Sequence, residues 1–333
     1  MSMKISNRVS TDGIEVIRQN FSDIDQQAAC LSGYDQRYQQ LSCGKFVGQF
    51  KTAIVDSKLG LYFEMINQIL DQSGAVPPNH YSVILLMNDD GCCKWNGQTF
   101  SSHDLWYGAP GSTFNAISVP GTQFVVVNIE KEFFETMFIG NYPELRNYPA
   151  KYKFGILEDN RTNAHRLRQV INQIFIILKT SSHGFAKSLS IKCLRLSITE
   201  MIADQLYNVL HPMSENKVIS LSNRFQIAKY ACAYINDHRG IDISISDLCR
   251  LTNVSRRTLE YSFHDCIGQS PASYLRSIKL NEIRRALLSP ENTRKSIGDI
   301  VSDWGVWHLS RFAQYYRNQF NELPSETRKF SLS

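Results

Sequence analysis

The chain has 333 residues and a net charge of +5; 43% of its residues are hydrophobic and 20% are charged. That length and composition suit two domains, each able to bury its own core. No apolar run reaches the ~18 residues of a membrane-spanning helix, and the N-terminus has no apolar signal core, so we expect a cytoplasmic protein without a membrane segment.

The eight cysteines show no C-x-x-C pair and no zinc-ligand spacing with histidine. In a cytosolic chain they are expected to be reduced. Cys232, Cys249 and Cys266 fall on apolar helix positions and are interpreted as small buried hydrophobes. The vicinal pair Cys92–Cys93 is placed incidentally or serves in redox or metal sensing; incidental placement is preferred.

The positive charge is confined to the C-terminal third. Residues 1–222 hold 20 Lys and Arg against 20 Asp and Glu, whereas residues 223–333 hold 16 against 11. A neutral region followed by a basic one indicates a phosphate-backbone partner at the basic end only.

From Gly44 to Ile129 the sequence is typical of short strands separated by turn signals, such as Asn96-Gly97 in a type I′ hairpin turn and the segment from Asp71 to Gly74. This pattern predicts an antiparallel sandwich or small barrel. Barrels of sufficient size hold small ligands, and a low-priority effector pocket is predicted among four aromatic residues, for which core packing is the alternative. These are Tyr81, Trp95, Trp106 and Tyr107.

Two amphipathic helices are predicted next, from Asn163 to Lys179 and from Ser188 to Leu210. Their wide apolar stripes either pack on the chain's own β-domain or form a dimer contact; the dimer is preferred because DNA-binding helix pairs usually act as dimers. His211 to Ser222 is polar and is interpreted as a linker.

The segment Ser246–Asp265 predicts two short helices joined by a turn at Asn253-Val254, which is a helix-turn-helix. Ser246 is predicted to cap the first helix and Ser255 the second, with Leu259 and Phe263 facing inward. The outward side chains either contact DNA or form an ordinary solvated face. They are Arg256, Arg257, Glu260, Tyr261 and His264.

The pattern recurs about 50 residues later. Ser296 caps Ile297 to Trp304, Gly305 makes the turn, and His308 to Phe320 forms a helix with Leu309, Phe312 and Tyr316 predicted inward. Between the two pairs, a helix is predicted from Pro271 to about Leu288. Its span of ~27 Å can hold two recognition helices near the ~34 Å separation of successive major-groove windows.

The motifs VSRRTL (254–259), GQSP (268–271) and WGVWHLSRF (304–312) closely resemble the AraC/XylS family of bacterial regulators. The resemblance covers Phe225 to Arg328. It implies a bihelical domain with two helix-turn-helix units and a promoter read by RNA polymerase. By motif position it implies base reading by Arg257, Glu260 and Tyr261 in the first unit. For the second unit it implies an outer face of His308, Ser310, Arg311 and Gln314.

Two positions depart from the family pattern: Val306 stands where many relatives carry Phe, and Ser310 where many carry Gly. Both changes are mild. Residues 41–48 (LSCGKFVG) and the Pro77-Pro78-Asn79 region loosely resemble the sensor half of the branch that contains the ethanolamine-utilisation regulator. That likeness implies a cupin-like sensor and an amine, such as ethanolamine, or a carbon source as effector.

The sequence thus predicts a two-domain α+β protein: an N-terminal antiparallel β-barrel, cupin-like by resemblance, with a helical dimerisation segment, then an all-α bihelical domain. The predicted ranges are 1–160 for the sensor (barrel 44–130), 161–211 for the dimerisation segment, 212–224 for the linker and 225–328 for the DNA-binding domain (helix-turn-helix units 246–265 and 296–317).

The predicted function is an activator of a catabolic operon, a homodimer controlled by a small effector, without cofactor or metal. The alternative is control by a partner protein. An enzyme is not expected: the β-region has only His80 and His103, with no H-x-H metal motif.

Overall fold

The computed structural model describes residues 7–11, 14–31, 33–88, 91–145, 154–158, 162–180, 185–210, 223–239 and 243–332. The predicted linker, 212–224, lies almost wholly outside them. The strands are β1 (Asn7–Thr11), β2 (Ile14–Phe21), β3 (Arg37–Gln40), β4 (Gly48–Asp56), β5 (Leu59–Ile66), β6 (Leu70–Ala75), β7 (His80–Leu86), β8 (Cys92–Trp95), β9 (Gln98–Ser101), β10 (Asp104–Gly108), β11 (Thr113–Ile117), β12 (Thr122–Glu130) and β13 (Phe154–Glu158).

The helices of the N-terminal half are α1 (Ile24–Ala28), α2 (Lys131–Asn141), α3 (Thr162–Thr180) and α4 (Phe185–Leu210). Those of the C-terminal half are α5 (Asn223–Asp237), α6 (Ile245–Thr252), α7 (Arg256–Ile267), α8 (Pro271–Leu288), α9 (Ile297–Ser302), α10 (Leu309–Phe320) and α11 (Pro324–Leu332). The arrangement is a two-domain α+β structure with a β-rich N-terminal part and a helical C-terminal part.

The N-terminal strands form two antiparallel sheets. One has eight strands in the order β1-β2-β4-β5-β12-β7-β10-β13, and the other has five in the order β3-β6-β11-β8-β9. Among the described strands no pairing closes either sheet, so the predicted closed barrel is wrong and the arrangement is a two-sheet sandwich. The predicted turn from Asp71 to Gly74 is also wrong, because these residues lie inside β6.

The central strands of the eight-stranded sheet are buried on both faces. On β12, Val125 and Val127 point to one cluster while Phe124 and Val126 point to the other, because successive strand residues alternate between faces. This double burial explains the nearly continuous apolar runs of the central strands. The type I′ turn at Asn96-Gly97 is confirmed, with φ of 48° and 74°.

Helices α3 and α4 cover the outer face of this sheet. Leu167, Ile171, Ile198 and Ile202 are fully buried in the cluster that the sheet forms with α2 to α4. The described part of the apolar stripe therefore packs on the chain's own β-domain. This is the alternative to the preferred prediction, which was a dimer contact. A dimer contact would have to use other positions, such as the exposed Leu196.

The five-stranded sheet turns its outer face toward the C-terminal domain, and β3 lies along α8. The backbone N–H of Gln40 donates to Oδ1 of Asn281 (3.2 Å), and Nδ2 of Asn281 donates to the Gln40 carbonyl (2.9 Å). The turn glycine Gly97 lies so close to Phe225 of α5 that an added Cβ would meet the ring at 2.1 Å. The two domains are thus in intimate contact.

Candidate nucleic-acid interface

The first helix pair, α6 and α7, is held by capping side chains. Ser244, not the predicted Ser246, caps α6: its hydroxyl accepts from the backbone N–H of Asp247 while that carboxylate accepts from the N–H of Ser244. The helix begins two residues earlier than predicted because the acidic residue of a capping box stands three positions after the cap. Asn253 then turns the chain at φ 52°, and Ser255 caps α7 as predicted.

Helix α7 has one buried and one exposed face. Leu259 and Phe263 are fully buried, as predicted. The five predicted contact residues, 256, 257, 260, 261 and 264, are all exposed. Arg256 Nε donates to Glu260 (3.0 Å), and Arg257 Nη2 donates to the Tyr261 hydroxyl (3.0 Å). Exposed pairs of this kind are worth at most ~1 kcal/mol, so both arginines can exchange their partners for DNA.

The second helix pair, α9 and α10, repeats this construction. Ser296 and Asp299 form a capping box at the start of α9, and Gly305 makes the turn at φ 69°. Phe312 and Tyr316 are buried as predicted, and the four predicted outer residues, 308, 310, 311 and 314, are exposed.

Leu309 departs from its predicted inward position, because it is 50% exposed. It is the first residue of α10, beyond the part of the helix that packs in the C-terminal core. The neighbouring Trp307 is 76% exposed, a feature that the sequence pattern did not predict.

Helix α8 joins the two pairs, and its predicted extent, Pro271 to Leu288, is confirmed. Its first half, with Tyr274 and Ile278, packs in the core of the first pair. Its second half, with Ile283 and Leu287, packs in the core of the second. One continuous helix of 18 residues, or ~27 Å, therefore fixes the distance between the two exposed faces.

Two cations on α8, the exposed Arg276 and the half-buried Lys279, extend the basic surface beyond the predicted residues. Arg276 and Lys279 line a hollow of about 380 Å³ against the start of α10, together with His308 and Arg311, and no acidic residue lines it. The Arg276 guanidinium lies 4.7 Å above the Tyr315 ring, and Arg311 Nε donates to the Tyr315 hydroxyl (3.2 Å). These cations lower the pKa of Tyr315 from its ordinary value.

The four aromatic residues of the predicted effector pocket do not meet around one cavity. Trp95 and Trp106 pack between the two sheets, 5.2 Å apart between ring centroids. Tyr81 and Tyr107 lie on the opposite face of the large sheet, under the helices. All four are at most 3% exposed. The physical reason is strand alternation, which sends Trp106 and Tyr107 to opposite faces.

A cleft of about 570 Å³ lies between the two domains instead. Asp71, Ser73 and Asn115 of the small sheet line one wall, and Phe225 and Cys232 of α5 line the other. Sequence reasoning missed this cleft because the named residues of its two walls are 110 to 161 positions apart in the chain.

Within the described residues, no cluster of three or more His, Cys, Asp or Glu side chains is placed to hold a metal ion. In the same part of the chain, no helix has the length and apolarity to cross a membrane.

Comparison with known proteins matches residues 248–329 to the family described as Helix-turn-helix domain. The XylDLEGF operon transcriptional activator of Pseudomonas putida is 30% identical over 177 residues, 53% of this chain and 53% of its own. Regulatory protein HrpB of Ralstonia nicotianae is 33% identical over 141 residues, 41% of this chain and 29% of its own. The chain thus spans about half, or less, of these curated relatives.

Two solved structures resemble this chain with TM-scores below 0.5. The AraC-like transcriptional activator CuxR aligns with 86% of this chain and 99% of its own at 13% identity and a TM-score of 0.43. An AraC-type regulator structure from Chromobacterium violaceum aligns with 32% of this chain and 92% of its own at 29% identity and a TM-score of 0.30.

The capped helix pairs, the bridging helix and the matched residues define the C-terminal part as a helix-turn-helix domain. In this part the chain is similar to transcription regulators of the AraC/XylS family.

Proposed function

We propose that this protein is a sequence-specific DNA-binding transcription activator in which both helix pairs act as helix-turn-helix units. The observation that carries the proposal is the rigid connection of two exposed, hydrogen-bonding faces through α8. The ~27 Å length of α8 is comparable with the ~34 Å between successive major-groove windows on one side of a duplex, so it suits two recognition helices bound there. Promoter DNA and RNA polymerase are the proposed partners, and a homodimer is the proposed assembly.

The residues proposed to contact DNA fall into two classes. Arg257 and Arg311 suit guanine, and Glu260 suits cytosine. Arg256 suits a phosphate, which positions the domain without carrying sequence information. Tyr261, His264, His308, Ser310 and Gln314 complete the set, all of them exposed.

The test is a footprint of the full-length chain on DNA upstream of its own gene and of neighbouring operons. We expect a discrete protected site whose affinity falls steeply with salt, since each neutralised phosphate releases counterions. A chain that protects no particular sequence at any salt concentration is not a sequence-specific regulator.

We further propose that a small effector controls the protein through its cupin-like N-terminal part. The interdomain cleft supports this idea, because its volume of about 570 Å³ is in the range of small-molecule sites and its two walls belong to different domains. An amine such as ethanolamine is one proposed effector class.

A thermal-shift screen of the full-length chain distinguishes this proposal from control by a partner protein. A small effector must raise the melting temperature by mass action. If no amine or carbon source does so while a protein partner does, the alternative is correct.

A further inference from the structure

The start of α10 exposes two large apolar side chains side by side in the chain. Trp307 is 76% exposed and Leu309 is 50% exposed, and between them His308 occupies the N-cap of the helix. Exposing one apolar side chain is ordinary, but a tryptophan this exposed beside a leucine indicates a surface that another molecule covers.

The chemistry around this pair points to one kind of partner. Arg276, Lys279, His308 and Arg311 surround the adjoining hollow, and none of its lining residues is acidic. Such a surface attracts a polyanion. An apolar protein partner does not complement three cations, Arg276, Lys279 and Arg311, beside two apolar side chains, whereas DNA offers phosphates beside apolar base methyl groups.

Their position fits the same partner. The N-terminal residues of a recognition helix are those that reach base edges in the major groove. Among the bases, thymine alone presents an apolar group there, its C5 methyl, and apolar side chains contact it. Leu309 has no polar group with which to read a guanine or adenine edge, and Trp307 has a single indole N–H on a large apolar ring.

We propose that Trp307 and Leu309 select thymines in the second half of the binding site by apolar contact with their C5 methyl groups, while Arg276 and Lys279 hold a neighbouring phosphate. The inference rests on the proposed DNA-binding function and adds a base preference to it. It also gives a binding partner to Leu309, which helical periodicity predicts inward but which lies exposed at the start of α10.

The test begins with selection of binding sites from random duplexes by the full-length chain. Each thymine of the selected site is then replaced by uracil, which removes only the methyl group. At one or two thymines in one half of the site, we expect a loss of about fourfold in affinity per methyl group. As a control, a neighbouring cytosine is replaced by 5-methylcytosine. This replacement should leave the loss of affinity caused by uracil unchanged.

Variants connect the effect to the side chains. Leu309→Ala binds the thymine site less tightly and loses the uracil effect at one thymine, and Trp307→Ala loses it at another. Tyr230→Ala is the matched control, because Tyr230 is 56% exposed on α5, away from α10, and this variant keeps the full effect. Arg276→Gln weakens binding to all sequences alike and lowers the salt slope by about 1.

The outcomes separate this inference from the function it rests on. If no sequence is selected at any salt concentration, the proposed DNA-binding function fails. A selected site at which wild-type protein tolerates uracil at every thymine overturns the apolar readout and leaves the function standing. The same conclusion follows if the site has no thymine in one half, or if Leu309→Ala keeps the uracil effect.

Discussion

The hydroxyl of Tyr274, in the first turn of the helix that bridges the two helix pairs, donates a 2.6 Å hydrogen bond to Asp71 of the β-domain. Both side chains are buried. Burial raises the pKa of the Asp71 carboxyl above its ordinary value, and the hydrogen bonds from Tyr274 and Asn115 act against that shift. The Asp71 carboxyl of the β-domain is therefore stabilised by the Tyr274 hydroxyl of the helical domain.

Tyr274→Phe should lower the free energy of unfolding by about 1–3 kcal/mol, because it leaves the buried Asp71 without one of its two donors. Urea titration followed by circular dichroism measures the change. Tyr230→Phe, on an exposed side chain, should stay within about 0.5 kcal/mol of wild type. Equal stability of the two variants would show that the Tyr274 bond does not stabilise the fold.

Arg285 of α8 forms a second connection between the domains. It donates to both carboxylate oxygens of Asp25 (2.8 and 2.7 Å) and to Oε1 of Glu282 (2.9 Å), and only 20% of its side chain is exposed. Arg285→Ala should lower the free energy of unfolding by about 1–2 kcal/mol, because Asp25 loses its two-pronged partner but is 41% exposed, and the buried Glu282 keeps Arg37. We expect calorimetry to show the β-domain melting apart from the helical domain.

The matched control is Arg250→Ala. Arg250 pairs with Asp247, but 80% of its side chain is exposed, so the loss should not exceed ~1 kcal/mol. A single cooperative transition in Arg285→Ala, at the wild-type temperature, would contradict the proposed coupling through α8.

Glu64 should make the stability depend on pH. Burial raises the pKa of this carboxyl to about 7, although Gln27 and Tyr38 donate to it at 2.7 and 2.8 Å. Between about 4.5 and 7 the folded chain holds a proton that the unfolded chain releases. The free energy of unfolding therefore falls as pH rises through this window, by about 3 kcal/mol in all.

Thermal unfolding at pH 5 and pH 8 measures this effect. Glu64→Gln keeps the shape of the side chain but cannot ionise, so it should remove most of the difference between the two pH values. Glu291→Gln is the control on an exposed carboxylate and should leave the difference intact. A Glu64→Gln variant with the wild-type pH dependence would assign the effect to another group.

Arg257→Ala should relax specificity at one base pair, with a loss of about 1–3 kcal/mol confined to sites that carry the preferred base there. Arg257 lies against the Tyr261 ring, 5.4 Å from its centroid, which holds the guanidinium on the exposed face. Competition binding against single-base variants of the site measures the change. A uniform loss across all sequences would mean that Arg257 contacts a phosphate.

Much of the C-terminal domain follows from local sequence. Ser255 and Ser296 cap their helices, Asn253 and Gly305 make the turns, and Pro271 begins α8, as predicted. These features involve residues three or four positions apart, so a short window of sequence contains both partners of each interaction. The cap at Ser244 was missed because Ser246 stands directly before the predicted helix. Only Ser244 has an acidic residue, Asp247, three positions later, as a capping box requires.

The tertiary structure alone decided how those elements meet. Strand alternation sends Trp106 and Tyr107 to opposite faces, but it does not show that two sheets stay separate or which layer covers each face. Periodicity could not place Leu309, because the core begins one turn after the start of the helix. The contacts Tyr274–Asp71 and Arg285–Asp25 join residues 203 and 260 positions apart. Such pairings depend on how whole domains pack, and no local pattern encodes that geometry.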